Sequence, residues 1–247
     1  MPKDFSLQFC SRSHTGKVKR NNEDYLRIHQ NGFLAAIADG MGGTDFGEVA
    51  SQIAVDASIE YLANTTSTKL LKKPAGELGN AVKYANEAII AIQRNQEKYR
   101  TMGSTLTCFL MINNQLHFSW VGDSRIYIVR PENTSIQMLT KDHTLDRNKI
   151  DATLAPDLYR RAPSILTQKV GSILLIQPDT GCFELKAGDI IVACTDGLSD
   201  RIDDQLLLEY GLKFAGNLEG YADKLLDRAL DCGGQDNISL ILAQVIS

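Results

Sequence analysis

The segment Phe33-Leu34-Ala35-Ala36-Ile37-Ala38-Asp39-Gly40-Met41-Gly42-Gly43 changes character at a single residue. Its apolar run reads as a buried strand that stops at Asp39, whose carboxylate is then held rigidly at a strand end. The glycines that follow let backbone carbonyls and a ligand approach closely. Beyond them Ala50, Ile53, Ala54, Ala57 and Tyr61 fall at helical spacing. One such turn has an ordinary explanation, since Asp is a favoured helix cap. The chain repeats it, however. Asp123 and Asp196 also follow apolar, strand-like runs and sit beside Gly122 and Gly197, and Asp236 precedes one after Gly233-Gly234.

Outward from this segment, blocks of strands alternate with helix pairs. Phe5–Cys10 and Tyr25–His29 alternate apolar and polar residues, with a polar loop over 11–24 between them. Asn31-Gly32 is a hairpin turn into the Phe33–Ala38 strand. A second helix carries Leu78, Ala81, Val82, Ala85, Ile89 and Ile92 on one stripe, and residues 64–74 connect the pair. Ser104–Ile112, Leu116–Val121, Arg125–Val129 and Ile136–Leu139 are short strands joined by tight turns, Asn113-Asn114 among them. They indicate an antiparallel meander. Residues 142–172 are irregular, with Pro156, Pro163 and Arg160-Arg161, and are expected to hold a helix fragment and a mobile loop. Strands at Ile173–Ile176, Cys182–Leu185 and Ile190–Cys194 precede helices near Asp203–Tyr210 and Leu218–Leu230, and Ile238–Val245 closes the order. The pattern predicts one α+β domain over 1–247 in which antiparallel sheets stack and helix pairs cover the outside.

Bulk properties narrow the function. The chain has 247 residues, 43% hydrophobic and 23% charged, with a net charge of −4. That suits a globular fold with a sizeable core and argues against a general nucleic-acid-binding surface. Cys10, Cys108, Cys182, Cys194 and Cys232 are scattered and form no CxxC pair, so a reducing, cytoplasmic setting without zinc is expected. Met1–Phe5 lacks the apolar stretch of a signal peptide, and no run approaches the ~18 apolar residues of a membrane helix.

Carboxylates at strand ends can converge at one rim of a sheet. Four of them there could not all stay ionised without compensation. Hard divalent cations, which take oxygen ligands, are the natural compensation. Convergence does not follow from spacing, since Asp beside Gly is common in turns and Asp236-Asn237 also reads as an Asx turn. His14, His29, His117 and His143 form no HxH or HExxH arrangement, and no GxxxxGK[ST] is present, so zinc-protease and P-loop chemistry are unsupported.

Seven motifs occur in order: Asn22-Glu23-Asp24, Ala38-Asp39-Gly40-Met41-Gly42-Gly43, Gly103-Ser104-Thr105, Val121-Gly122-Asp123-Ser124-Arg125, Leu139-Thr140-Lys141-Asp142-His143, Thr195-Asp196-Gly197-Leu198 and Asp236-Asn237-Ile238-Ser239. Together they resemble the metal-dependent serine/threonine protein phosphatases (PPM, or type 2C) in their compact bacterial form, over roughly residues 10–245. The resemblance implies an αββα sandwich of two antiparallel sheets flanked by helix pairs. It implies a centre of two Mn²⁺ or Mg²⁺ ions, with Asp39 bridging both, the Gly40 carbonyl on the second, and Asp196 and Asp236 on the first. Asp123 with Asp196 resembles the third-metal site of bacterial members. Glu23, Asp24 and Asn237 would stand behind the ligands, and 142–172 falls at the family's flap. Hydroxide bridging the metals would attack phosphorus directly, without a covalent intermediate.

The sequence departs from the family at three places, one of them a flap shorter than is usual, whose substrate contacts do not carry over. The phosphate-binding Arg falls at Lys19, with Arg20 next door; Lys supplies charge but no bidentate fork, and register favours Lys19. Met41 stands where some eukaryotic members carry a His, so leaving-group protonation is expected from metal-bound water, with His14 and His143 read as structural or solvated. The implied function is hydrolysis of phosphoserine and phosphothreonine in opposition to a Ser/Thr kinase, by a cytoplasmic monomer that engages neither nucleic acid nor membrane. The alternatives are a non-catalytic phosphoprotein-binding module on the same fold and a small-phosphoester hydrolase. An intact set of Asp39, Asp196 and Asp236 argues against the former.

Overall fold

The computed structural model describes residues 5–30, 32–41 and 46–246. Its elements in chain order are β1 (Ser6–His14), β2 (Asp24–Ile28), β3 (Leu34–Met41), α1 (Gly47–Asn64), α2 (Ser67–Lys72), α3 (Pro74–Asn95), β4 (Gly103–Ser104), β5 (Leu106–Ile112), β6 (Gln115–Val121), β7 (Arg125–Arg130), β8 (Ser135–Met138), α4 (Pro156–Arg161), β9 (Asp179–Glu184), β10 (Ile190–Cys194), α5 (Asp196–Ser199), α6 (Asp204–Lys213), α7 (Leu218–Asp231) and β11 (Ile238–Ile246). Two antiparallel sheets result, ordered β1-β11-β10-β7-β8 and β2-β3-β5-β6-β9, with β4 added beside β3.

The two innermost strand sequences explain the layering. Leu34, Ala36 and Ala38 of β3 pack under α1 and α3, while Ala35 and Ile37 face the other sheet. In β11, Ile238, Leu240 and Leu242 pack under α6 and α7, while Ile241, Ala243 and Val245 face inward. Both faces of each strand are buried, so both sequences are mostly apolar rather than alternating, broken only by Asp39 in β3 and by Ser239 and Gln244 in β11. The order helix pair, sheet, sheet, helix pair is the expected αββα sandwich. The turn at Asn113 and Asn114 takes φ of 49° and 61°, the left-handed pair that a two-residue hairpin requires.

Several expectations need correction. Ile173–Ile176 is not a strand: Ile173, Leu174 and Leu175 are exposed and only Ile176 is buried. The edge of the sheet beyond β6 is reached by Asp179–Glu184 instead, so this apolar run finds no strand to pair with. The 64–74 connection contains α2, and α5 was not anticipated. The 142–172 stretch holds α4 and is tied back by isolated bridges between Thr144 and Leu166 and between Ser104 and Val170. Asn31 of the predicted hairpin turn, and Gly42-Gly43, lie outside the described residues.

Candidate metal centre at the sheet rim

Asp39 lies within β3, directly opposite Asp24 of β2, and not just past the strand. The cause is β4, whose Ser104 and Gly103 pair with Gly40 and Met41 and carry the strand two residues further. The Asp39 backbone is clamped there. Its N–H donates to Thr105 Oγ1 at 2.8 Å, and its carbonyl accepts from the Thr105 N–H at 2.9 Å and from Ser104 Oγ at 2.8 Å. Thr105 Oγ1 lies 2.7 Å from Ser124 Oγ, so the turn bearing Asp123 is locked to the strand bearing Asp39. The Gly40 N–H donates to the Glu23 carbonyl at 3.0 Å. A Cβ at Gly40 would lie 2.0 Å from the Gly47 carbonyl oxygen, so only glycine fits.

The second sheet delivers the partners. β10 leads through Thr195 into Asp196, the first residue of α5. Thr195 Oγ1 donates to Asp24 Oδ2 at 2.9 Å and accepts from the Ser239 N–H at 3.1 Å, joining the sheets at this rim. A Cβ at Gly197 would lie 1.9 Å from the Asn237 carbonyl oxygen, so α5 sits flush against the start of β11. Asn237 is a buried clamp. Its Oδ1 accepts from the Glu23 N–H at 2.8 Å, and its Nδ2 donates to the Thr15 and Asn21 carbonyls, both at 2.8 Å.

The electrostatics are those of crowded acids. Burial, then Asp24, Asp196 and Asp236, push the Asp39 carboxyl well above its ordinary range. Burial and Asp236 raise Asp196. Asp24 and Asp123 are each pushed up to about 7, by burial first and by neighbouring carboxylates second. Glu23 is raised by burial against the pull of Lys19. Burial works against the Lys19 ammonium, yet Asp236, Glu23 and Asp39 outweigh it and its pKa is raised. Lys19 Nζ lies 2.7 Å from Asp236 Oδ1. Arg20 is exposed and forms no ion pair among the described residues.

Among the described residues no three His, Cys, Asp or Glu side chains are grouped so as to hold a metal ion as they stand. Asp236 turns to Lys19, and Asp196 stands close enough to Asp39 to help raise its carboxyl. The donor set nevertheless fits hard cations. Oδ1 of Asp24 and Oδ1 of Asp196 are buried without a hydrogen-bond partner, each at a cost of about 1–3 kcal/mol. All the donors are oxygens, and the acids are held where positive charge would relieve them. Asp39, Asp196, Asp236 and the Gly40 carbonyl could hold such ions.

Asp123 and Asp196 line a separate cavity of about 100 Å³ with Asp142, Ser164, Ser199 and Asp200. Ser164 brings the 142–172 segment to its wall. Asp142 is held by Arg125 through two bonds, from Nε at 2.9 Å and Nη2 at 2.7 Å. His143 is structural: its Nδ1 accepts from the Gly122 N–H at 3.2 Å, and its Nε2 lies 3.2 Å from Asp179 Oδ2. His14 Nδ1 accepts from the Gly16 N–H at 2.8 Å. Sequence reasoning gave no role to Ser104, Thr105, Ser124, Thr195, Asp142 or Asp200. Membership in the ordered motifs was the signal for all but Asp200. For that residue the signal was its spacing of one helical turn from Asp196.

An αββα sandwich with an acidic rim suited to hard cations is therefore the class that fold and site define. The Protein phosphatase 2C family profile matches residues 11–232, and the chain belongs to that family. It is 34% identical over 242 residues to the serine/threonine protein phosphatase PstP of Mycobacterium tuberculosis, covering 97% of this chain and 45% of PstP. The chain thus spans about half the length of that relative. It is 30% identical over 246 residues to the protein phosphatase PhpP of Streptococcus pneumoniae, covering 97% of this chain and 98% of PhpP. A crystal structure of the PstP catalytic domain in complex with two manganese ions superimposes with a TM-score of 0.81 at 32% identity, over 99% of this chain and 100% of that one.

Proposed function

We propose that this chain is a metal-dependent protein serine/threonine phosphatase that releases phosphate from phosphoserine and phosphothreonine and opposes a Ser/Thr kinase. One observation carries the proposal: Asp24 and Asp39 from one sheet meet Asp196 and Asp236 from the other at a single rim, where burial and the neighbouring carboxylates raise Asp24, Asp39 and Asp196. Family membership supports the same chemistry. Asp39 would bridge two ions, with Gly40 on one and Asp196 and Asp236 on the other, and Asp123 with Asp196 would take a third. Bound there, Mn²⁺ or Mg²⁺ lowers the pKa of a coordinated water and neutralises phosphate charge.

The chain's own groups do the rest. Lys19 stands at the rim as a point charge for the phosphate oxygens. Glu23, whose backbone N–H is held by Asn237, and Asp24, held by Thr195, would stand behind the ligands and hold their waters. Met41 cannot donate a proton, and His143 has both ring nitrogens engaged. The segment 142–172 acts as the flap of a single domain. The five cysteines are free thiols, which supports a reducing, cytoplasmic setting.

The test is Mn²⁺-dependent phosphate release from a phosphothreonine peptide. Activity is expected with Mn²⁺ and not with EDTA. Asp39→Asn and Asp196→Asn are expected to lose at least about 100-fold in kcat/KM, the scale of removing one preorganised electrostatic contributor, while keeping a native far-UV spectrum. Full activity in either variant, or in EDTA, sinks the proposal.

A further inference from the structure

We infer that the groove between the C-terminal end of α3 and residues 169–175 binds the polypeptide flanking the phosphorylated residue, as an extended segment carrying an acidic side chain and a neighbouring apolar one. The inference rests on the phosphatase reading and adds a substrate class to it.

The groove has a volume of about 780 Å³ and a fixed floor. Gln93 Nε2 donates to the carbonyls of Met102 at 2.8 Å and Gly171 at 2.9 Å. Gly171 has φ +83°, and a Cβ there would lie 2.8 Å from the Met102 carbonyl oxygen. Its walls are cationic. Lys169, Arg94 and Arg100 line it against one acid, Glu97. Arg100 pairs with Glu97 at 3.0 Å, with both side chains largely in solvent, so that pair is weak. Lys169 is half-buried and has no ion pair or hydrogen bond among the described residues, and burial lowers its pKa. A carboxylate from a ligand relieves that desolvated charge.

The apolar part is displayed by design of the backbone. Ile173, Leu174 and Leu175 are 84%, 75% and 86% exposed, an exposed run of a kind that marks contact surfaces. Buried Asn86 holds its start, its Oδ1 accepting from the Gly171 and Ser172 N–H groups at 2.8 and 3.0 Å. Buried Ile176 anchors its end. The groove is also continuous with the site. Val170 bridges to Ser104, and Ser104 and Gly103 pair with Gly40 and Met41. Val170, next to Lys169, therefore lies about two strand spacings, ~10 Å, from Gly40. An extended chain covers that in about three residues.

Phosphothreonine peptides with Glu three residues from the phosphoresidue and Leu beyond it, on either side, test this against peptides with Lys and Ser at those places. Wild-type kcat/KM is expected to favour the Glu/Leu peptide by about tenfold in one orientation, the scale of one charge pair and one apolar contact. The ratio is expected to fall to near one in Lys169→Ala/Leu174→Ser. Being a ratio, it is insensitive to general loss of activity. Fluorescence anisotropy of the unphosphorylated, labelled Glu/Leu peptide reads the groove alone: binding by wild type and its loss in the double variant support the inference even where no phosphate is released, a result that would overturn only the phosphatase reading. Equal ratios in wild type, a preference that survives in the variant, or a dimer lost in Leu174→Ser with no peptide binding would each overturn it.

Discussion

Lys19 sits 2.7 Å from Asp236, while Arg20 is exposed and forms no ion pair among the described residues. We propose Lys19 as the phosphate anchor, the position that register also favours. Lys19→Ala is expected to raise KM for a phosphopeptide about tenfold, and Arg20→Ala less than twofold, since one charge-assisted contact is worth roughly that much. Steady-state kinetics on both variants decide it, and the reverse order moves the anchor to Arg20. A second residue-scale case lies away from the rim. Burial lowers the pKa of His117, and its Nδ1 is buried without a partner. Such a histidine binds fewer protons folded than unfolded. Its contribution is full above the unfolded value of about 6.5 and is lost as pH falls below it. His117→Leu is expected to flatten the fall in stability below that pH, and at pH 7.5 to leave stability equal or higher by about 1 kcal/mol. Urea melts at two pH values check this; an unchanged slope refutes it.

Elements meet at the rim through small polar clamps. The loop over 15–23 has no regular structure to hold it, and Asn237 supplies the hold, with three bonds of 2.8 Å to Thr15, Asn21 and Glu23. Asn237→Ala leaves two carbonyls and one N–H without partners. It is expected to cost about 2–4 kcal/mol and to weaken Mn²⁺-dependent activity, because Lys19 and Glu23 lose their placement. Thermal melts and Mn²⁺ titration of activity measure both effects. A variant with wild-type stability and metal dependence would show that the loop is held elsewhere. Legibility at this scale was uneven. The helices around α1, α3, α6 and α7 were visible because each carries an apolar stripe at period 3.6. The Ile173–Ile176 strand was a false reading, because a short apolar run looks the same whether it is buried or displayed. The packing of α5 against β11 was invisible, since nothing local in Gly197 announces a carbonyl 1.9 Å from its missing Cβ.

At the scale of the molecule, the two sheets share one interior. Ile37, Phe109, Phe118 and Trp120 of one sheet pack with Ile126, Ile191 and Ile241 of the other, and the rim carboxylates come from both. Neither half keeps its core alone, so we propose that residues 1–247 unfold as one unit. The single tryptophan, Trp120, is 6% exposed in that layer and reports its loss. Its fluorescence and far-UV circular dichroism are expected to give coincident thermal transitions; separated midpoints would mean two units.

The sequence alone determined the main strands and helix pairs, the family and the identity of the acidic residues, because each is written in local pattern: an apolar period, a glycine beside an aspartate, seven motifs in order. Tertiary structure alone decided that Asp24 stands opposite Asp39, that Asp196 and Asp236 join them from the second sheet, and that Lys19 answers their charge. Those facts depend on strand register and on the stacking of two sheets, which bring residues 19, 39, 196 and 236 together across most of the chain length. No local spacing encodes such an approach, and the raised pKa values of the rim exist only once it has happened.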